Sequence, residues 1–114
     1  MSCEVFNESD FGMIEGCEQT FSINLYNIFG EDMKAIIDFV EWRMSKYGET
    51  ELIVSKKSTD GSISINENII TISIFSKDTQ GLHGKFAHQL IVTDGIGRQF
   101  IADLGKITIK AQIK

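Results

Sequence analysis

The chain has 114 residues, of which 42% are hydrophobic, and its formal net charge is −5. A chain of this length fits one domain and can bury a core. The 16 acidic residues against 11 basic ones argue against nucleic acid as a partner, because phosphate neutralisation needs clustered Lys and Arg. No apolar run approaches the roughly 20 residues of a membrane span. The first residues lack the basic region and apolar stretch of a secretory signal, which predicts synthesis in a cytosol.

Both cysteines, Cys3 and Cys17, lie near the start of the chain. Two cysteines are too few for a disulfide framework, and a zinc site would need further ligands at short spacing. We therefore expect two reduced thiols and no metal. Residues 1–15 are predicted to form an N-terminal arm or a first strand, followed by a single domain over residues 16–114.

Alternation of apolar and polar residues with a period of two is the main structural signal. It runs through residues 20–29, 68–75, 85–94 and 106–113. Successive side chains of a strand leave opposite faces of the sheet, so each segment is predicted to be a β-strand. Because one face of nearly every segment is polar, the sheets are expected to be antiparallel.

Residues 33–47 are compatible with two structures. Their apolar residues at helical spacing are Met33, Ile36, Ile37, Val40, Met44 and Tyr47. A helix would, however, expose Phe39 and Trp42, whereas a strand places Val40, Trp42 and Met44 on one face. The strand is therefore favoured, and an initial helical turn near residues 31–34 fits either structure.

Three segments have the composition of tight turns. Asp60-Gly61 lies between two predicted strands and is typical of a two-residue hairpin, because both residues tolerate positive φ. Residues 94–97 predict a second hairpin. Residues 46–50 predict a turn that precedes a strand starting near residue 51.

Seven or more short strands joined by such turns predict an all-β fold, namely an immunoglobulin-like two-sheet antiparallel β-sandwich. The segment from Asp78 to Phe86 is similar to a corner of such sandwiches, where an acidic residue opens a turn and an aromatic residue starts the next strand. Thr79 and Leu82 complete this structural corner. Phe86 lacks the hydroxyl group with which a corner tyrosine bonds the backbone, so packing is expected to close the corner. The cysteine pair and buried tryptophan of antibody domains cannot be mapped onto the chain.

A more specific resemblance covers residues 16–109. Its parts are the run from Ile70 to Leu82, the strand from Gly84 to Asp94, Gly97, and the closing Gly105-Lys-Ile107-Thr-Ile109. Together they resemble the immunoglobulin-like N-terminal domain of phage baseplate upper proteins and related small tail-associated proteins. Residues 16–25 are similar to that family's opening glycine, acidic residue and alternating strand. The family's longer receptor-binding or scaffold portion has no counterpart here.

The resemblance implies a structural protein of a phage or prophage tail, associated with the baseplate and acting by protein–protein binding. The implied partners are other tail or baseplate proteins and further copies of the chain, in a homo-oligomer, without nucleic acid or membrane. It further implies assembly into a virion in the host cytoplasm, with no cofactor and no catalytic residue. The alternative is a carbohydrate- or cell-surface-binding sandwich, which an exposed pair of aromatics on one face would favour. A small enzyme on a β-scaffold would need a polar pocket, and the sequence contains no catalytic motif that builds one.

Four side chains with metal-binding or acid–base chemistry lie close together in the sequence, namely Asp78, His83, His88 and Asp94. His88 falls on the apolar face of its predicted strand and is interpreted as a packed core or interface histidine. Asp78 is interpreted as an acceptor for backbone N–H groups of the corner. Neither assignment requires a metal ion.

The C-terminal alternating segment is predicted to be an exposed edge strand that joins subunits. Ile107, Ile109 and Ile113 are the residues of this predicted interface. Alternatively, Lys106, Lys110 and Lys114 guard the edge against indiscriminate pairing.

Overall fold

The strands of the computed structural model alternate in burial, as the sequence pattern predicts. Residues 9–24, 37–66, 69–95 and 97–113 are described. The strands are β1 (Phe11–Ile14), β2 (Gln19–Asn24), β3 (Ile37–Lys46), β4 (Leu52–Lys57), β5 (Ile63–Asn66), β6 (Ile69–Ile74), β7 (Gly84–Asp94) and β8 (Gln99–Lys110). A four-residue helix, α1 (Ser76–Thr79), lies between β6 and β7. The described residues contain no helix that is long and apolar enough to cross a membrane.

The strands form a five-stranded sheet in the order β1-β8-β7-β3-β4 and a three-stranded sheet in the order β2-β6-β5. All strand pairs are antiparallel except β1 with β8, which is parallel. In immunoglobulin-like sandwiches, strands B, E and D face strands C, F and G. Here β2, β6 and β5 take the first set of places, and β3, β7 and β8 take the second. The predicted two-sheet sandwich is confirmed, with one parallel pair that the antiparallel prediction did not include.

The core lies between the sheets and is built from one face of each strand. Its fully buried side chains include Val40 and Trp42 on β3, Ile70 on β6, Leu90 on β7 and Ile107 on β8. Burying one large apolar side chain contributes roughly 1.5–3 kcal/mol, so the inward faces account for most of the driving force for folding.

Residues 37–46 are a strand, which confirms the favoured interpretation of the ambiguous segment. Val40, Trp42 and Met44 are buried on one face, and Arg43 lies on the other. A helix would have left Trp42 outside the apolar stripe, and burial of that ring decides for the strand. The suggested helical turn at residues 31–34 lies outside the described residues.

Asp60-Gly61 forms a turn but not the predicted hairpin. Gly61 has a φ of 85°, and the Asp60 carboxylate accepts hydrogen bonds from the N–H groups of Ser62 (2.8 Å) and Lys57 (3.0 Å). However, β4 pairs with β3 and β5 pairs with β6, so this turn carries the chain from one sheet to the other. The hairpin prediction is wrong because the dipeptide sets the local direction of the chain and not the partner of the next strand.

The other two predicted turns join neighbouring strands of one sheet. The Asp94 carboxylate accepts the N–H of Arg98 (2.9 Å), and this turn connects the antiparallel strands β7 and β8. Tyr47 and Gly48 form the turn between β3 and β4, where Gly48 has a φ of 83°. Both predictions are confirmed.

β8 is not an edge strand, and it ends at Lys110 rather than at residue 113. It pairs with β7 along one side and with β1 along the other, where Phe11 lies opposite Ile107 and Met13 opposite Ile109. The prediction of a free C-terminal edge is wrong, because residues from the start of the chain cover it. Alternation within β8 identifies the strand but carries no signal for this distant parallel partner.

Candidate functional site

Four aromatic rings meet between the two sheets, and the one from β1, Phe11, has its centroid 4.8 Å from that of Phe21 and 5.0 Å from that of His88. Phe21 projects from β2, Trp42 from β3 and His88 from β7. The ring centroids of Phe21 and Trp42 lie 5.5 Å apart, those of Trp42 and His88 6.1 Å, and those of Phe21 and His88 6.3 Å. Aromatic pairs at such distances contribute about 0.5–1.5 kcal/mol beyond the burial of their surface. The cluster therefore holds the two sheets together.

Both ring nitrogens of His88 are hydrogen-bonded. The Trp42 Nε1–H donates to Nδ1 of His88 at a distance of 3.2 Å. Because an indole N–H can only donate, Nδ1 must be the unprotonated acceptor. Nε2 then carries the proton and donates to the backbone carbonyl of Ser9 at 2.8 Å. This pattern leaves neither nitrogen of His88 for a metal ion or for proton transfer.

The cluster occupies the place of the inter-sheet disulfide of antibody domains. In those domains a buried tryptophan on strand C packs against a disulfide between strands B and F, and the second cysteine lies two residues after the corner tyrosine. Here Trp42 lies on the strand equivalent to C, and His88 lies two residues after Phe86. The expectation that the tryptophan could not be mapped is therefore wrong. Ring packing and a hydrogen bond stand where a disulfide would be.

The segment that precedes β1 lies directly on β8. The N–H of Ser9 donates to the carbonyl of Leu104, and the N–H of Lys106 donates to Oδ1 of Asp10. Each donor–acceptor distance is 2.8 Å. Gly105 lies beneath this segment, and a Cβ added there would be 2.0 Å from the Ser9 carbonyl oxygen. The absence of a side chain at Gly105 is therefore what permits the contact.

The four predicted corner residues lie together where the chain passes from β6 to β7. The Thr79 Oγ1 accepts the N–H of Gly16 at 2.9 Å, and the N–H of Leu82 donates to the Thr79 carbonyl at 2.9 Å. Phe86 is buried at the start of β7. Packing of Phe86 and the hydrogen bonds of Thr79 close the corner together, whereas packing alone was expected.

A buried ion pair links the corner to β4. The Asp78 carboxylate accepts the N–H of Phe75 at 2.7 Å and pairs with the ammonium group of Lys56. The side chains of Lys56 and Asp78 are only 7% and 12% exposed. The Lys56 Nζ also lies 4.6 Å from the centroid of the Phe75 ring, a distance typical of a cation–π contact. The hydrogen bond to Phe75 is the contact that the turn-acceptor interpretation of Asp78 predicts.

Substitution of Asp78 should lower the free energy of unfolding more than substitution of its partner Lys56. Asp78→Ala leaves the Lys56 ammonium buried without its counter-charge and frees the Phe75 N–H, so we expect a loss of about 3 kcal/mol in the free energy of unfolding. Lys56→Met keeps an apolar stem of similar length, and the Asp78 carboxylate that it leaves unpaired still accepts the Phe75 N–H, so it should cost less, about 1–2 kcal/mol. Urea denaturation measures both values, and equal losses would contradict the importance of the buried charge.

The four side chains considered for metal or proton chemistry do not converge. Asp78 lies in α1, His83 is exposed before β7, and His88 faces the core. Asp94 ends β7 and accepts a hydrogen bond from the Arg98 Nε at 2.8 Å. Within the described ranges, no group of three or more His, Cys, Asp or Glu residues could hold a metal ion. Cys17 is a half-buried free thiol, and the other cysteine lies outside these ranges.

Two adjoining depressions lie on the outer face of the five-stranded sheet. Their volumes are about 310 and 400 Å³, and Ala87 and Gln89 line both of them. Arg43 borders the smaller one and Tyr47, which is 54% exposed, borders the larger one. Both depressions are open and lined by mixed polar and apolar side chains. Such surfaces suit contact with a protein better than enclosure of a small molecule.

Acid should weaken one contact of this face. A hydrogen bond from Arg43 lowers the pKa of Glu41 against the opposing effect of burial, and Ser55 and the charge of Lys57 lower it further. Because the folded-state pKa lies below that of the unfolded chain, this contact stabilises the fold above about pH 4.3 and is lost as the pH falls through the folded value. Glu41→Gln should therefore cost up to about 1 kcal/mol at pH 7 and nothing near pH 2. Urea denaturation at the two pH values measures this, and an equal cost at both would contradict it.

The exposed large apolar side chains include two aromatics, Tyr47 and Phe75. Tyr47 contacts Lys106 on the outer face of the five-stranded sheet, whereas Phe75 contacts the inward-pointing Lys56. The described residues therefore do not present the exposed aromatic pair on one face that would favour carbohydrate binding.

Of the three predicted interface residues, two belong to the core. Ile107 and Ile109 are 0% and 2% exposed, while Ile113 is 98% exposed and follows the end of β8. The backbone groups of β8 are paired on both sides over Ile107–Lys110. Subunit contact through this segment stays a prediction, but it cannot use unpaired backbone groups of Ile107 and Ile109.

No protein-family model matches the chain, and no curated protein matches it. Among solved structures, it is similar to a chain described as "Structures of Clostridium thermocellum CbhA fibronectin(III)-like modules". The two share 12% sequence identity with a TM-score of 0.49, over 93% of this chain and 92% of the other. The fold assignment rests on the strand order and register of this chain.

Proposed function

We propose that the protein is a binding module of a phage or prophage tail, associated with the baseplate, and that it has no catalytic role. The observation that carries the binding function is that the side chains suited to chemistry are occupied in holding the fold together. The nitrogens of His88 bond Trp42 of β3 and the segment before β1, Asp78 closes the corner, and Asp94 fixes the β7–β8 turn.

Surface features that remain accessible support contact with proteins. Leu52 and Ile53, at the start of the edge strand β4, are 50% and 41% exposed. Leu52 also lines the smaller of the open depressions of the five-stranded sheet. Support for the phage tail in particular comes from the sequence resemblance over residues 16–109.

Co-expression tests this function. The chain, produced together with the proteins encoded on either side of its gene, should co-purify with one of them in a complex of fixed stoichiometry. Light scattering after size exclusion gives the mass of that complex, and mass spectrometry of purified particles tests for the chain in the virion. A chain that binds none of these proteins and is absent from particles would contradict the proposal. Truncation at residue 106 is not a usable control, because it removes the buried Ile107 and Ile109.

A further inference from the structure

Three lysines share the outer face of β7 and β8. Lys106 and Lys110 alternate along β8 with the buried Ile107 and Ile109, so both point away from the core. Lys85 of β7 lies opposite Thr108, midway between them, and points to the same side. We call Lys85, Lys106 and Lys110 the lysine row.

Positive charge is concentrated in this row although the whole chain is acidic. Lys85 is diagonal to both lysines of β8, a relation that places side chains about 7–8 Å apart. This separation is no longer than the Debye length at physiological salt, so the charge of Lys85 acts together with that of each lysine on β8. All three side chains are exposed, and none forms an ion pair with a described residue. The ammonium groups of the row therefore repel one another and attract a negatively charged partner.

Tyr47 stands at the same place and adds a second kind of contact. Its backbone N–H donates to the Lys85 carbonyl at 3.2 Å, and the Lys106 Nζ lies 5.5 Å from the centroid of its ring. The phenol is 54% exposed and borders the depression of about 400 Å³ that Lys106 also lines. The site thus combines an exposed aromatic ring, a hydroxyl group and ammonium groups with one carboxylate, that of Asp10, which lines the same depression and accepts the Lys106 N–H.

The spacing of the row identifies its partner. Along the strand direction the three lysines are spaced two residues apart, at roughly 6.6 Å, and span roughly 13 Å in all. An extended chain presents its alternate side chains at the same spacing. We infer that the lysine row binds an extended acidic segment of a partner protein, with Asp or Glu at alternate positions.

A phosphate polymer fits this face less well. Nucleic acid carries a charge at every nucleotide and extends far beyond a patch of this length. The whole chain carries a net charge of −5, so a long polyanion meets repulsion outside the row. A short acidic peptide segment does not.

This inference deepens the proposed function by naming the partner chemistry, and it rests on that function being protein binding. The test uses the full ¹⁵N-labelled chain and a synthetic peptide, Thr-Glu-Thr-Glu-Thr-Glu-Thr, with a neutral peptide in which Gln replaces Glu as control. We expect amide shifts at Tyr47, Lys85, Lys106 and Thr108 with the acidic peptide, and none with the neutral one. Shifts spread over other faces, or tighter binding of oligothymidylate than of the peptide, would overturn the inference.

Charge reversal provides the matched comparison. Lys85→Glu with Lys106→Glu should weaken peptide binding on the order of tenfold, because two ion pairs become repulsive. Lys57→Glu with Lys77→Glu changes the net charge equally at exposed positions outside the row and should leave binding within about twofold. Thermal unfolding checks that both variants are folded. If the tail-protein complex forms and the first variant binds it as tightly as the second does, this inference fails while the proposed function stands. If no such complex forms, the proposed function fails whatever the peptide does.

Discussion

Gly105→Ala is expected to lower the free energy of unfolding by about 3 kcal/mol, at the upper end of the range for overpacking. The added Cβ would lie 2.0 Å from the Ser9 carbonyl oxygen and 2.6 Å from the Ser9 carbonyl carbon. Both atoms belong to backbone, which cannot rotate away as a flexible side chain can. The segment over β8 must therefore lift, and the hydrogen bonds from His88 to Ser9 and from Lys106 to Asp10 are lost with it.

A glycine on the neighbouring strand provides the control for this variant. A Cβ at Gly12 would meet the Thr108 carbonyl oxygen at 3.5 Å, an ordinary contact. Gly12→Ala should therefore change the free energy of unfolding by no more than about 0.5 kcal/mol in urea denaturation. Hydrogen exchange adds a local measurement, because the Lys106 amide should lose protection in the Gly105 variant only. Equal stability of the two variants would show that the segment does not lie on Gly105.

His88→Ala is expected to cost about 3 kcal/mol. The substitution opens a cavity among Phe11, Phe21 and Trp42, and it leaves the Trp42 N–H and the Ser9 carbonyl without their partner. Denaturation followed by Trp42 fluorescence measures the loss at the site itself.

Two further variants separate the contributions at this position. His88→Leu restores most of the volume but no acceptor, so it should still cost about 1–3 kcal/mol for the unsatisfied indole N–H. His83→Ala removes the exposed histidine and should change stability by no more than about 0.5 kcal/mol. A neutral effect of His88→Leu would mean that the hydrogen bond from Trp42 contributes nothing.

Local pattern predicted most of the strands of this fold, and long-range pairing accounts for what it missed. Alternation identified β6, β7 and the last five residues of β8, because the period of two is a property of each strand alone. Alternation does not show which strands pair with each other, so the parallel pairing of β1 with β8 was not predicted. Asp60-Gly61 likewise specified a turn without specifying that the chain would change sheets there.

Parts of the aromatic cluster between the sheets could also be predicted from the sequence. His88 was placed on the apolar face of its strand, and Trp42 was placed inward on the favoured strand. A buried indole N–H requires an acceptor, and a buried imidazole can provide one, which would have suggested the bond between them. The sequence contains no such signal for Gly105. A glycine is required there because the Ser9 backbone lies against it, and Ser9 is 96 positions earlier in the sequence.

The structure changes the interpretation of the two exposed lysines of β8. The sequence alone allows Lys106 and Lys110 to guard a free edge, but β8 is paired on both sides over Ile107–Lys110. Their exposed charges, together with Lys85, instead form a regularly spaced surface on the outer face of the sheet. That surface gives the proposed binding function a definite location.

Zero-length cross-linking on the proposed complex with a tail protein tests the central claim most directly. A carbodiimide joins lysine amines only to carboxylates in contact with them, so it reports the proposed ion pairs without a spacer. We predict that Lys85, Lys106 and Lys110 give the dominant intermolecular cross-links, to alternate Asp or Glu residues of one partner segment, and that these disappear at high salt. Intermolecular cross-links confined to other lysines, such as Lys57 and Lys77, would contradict the account.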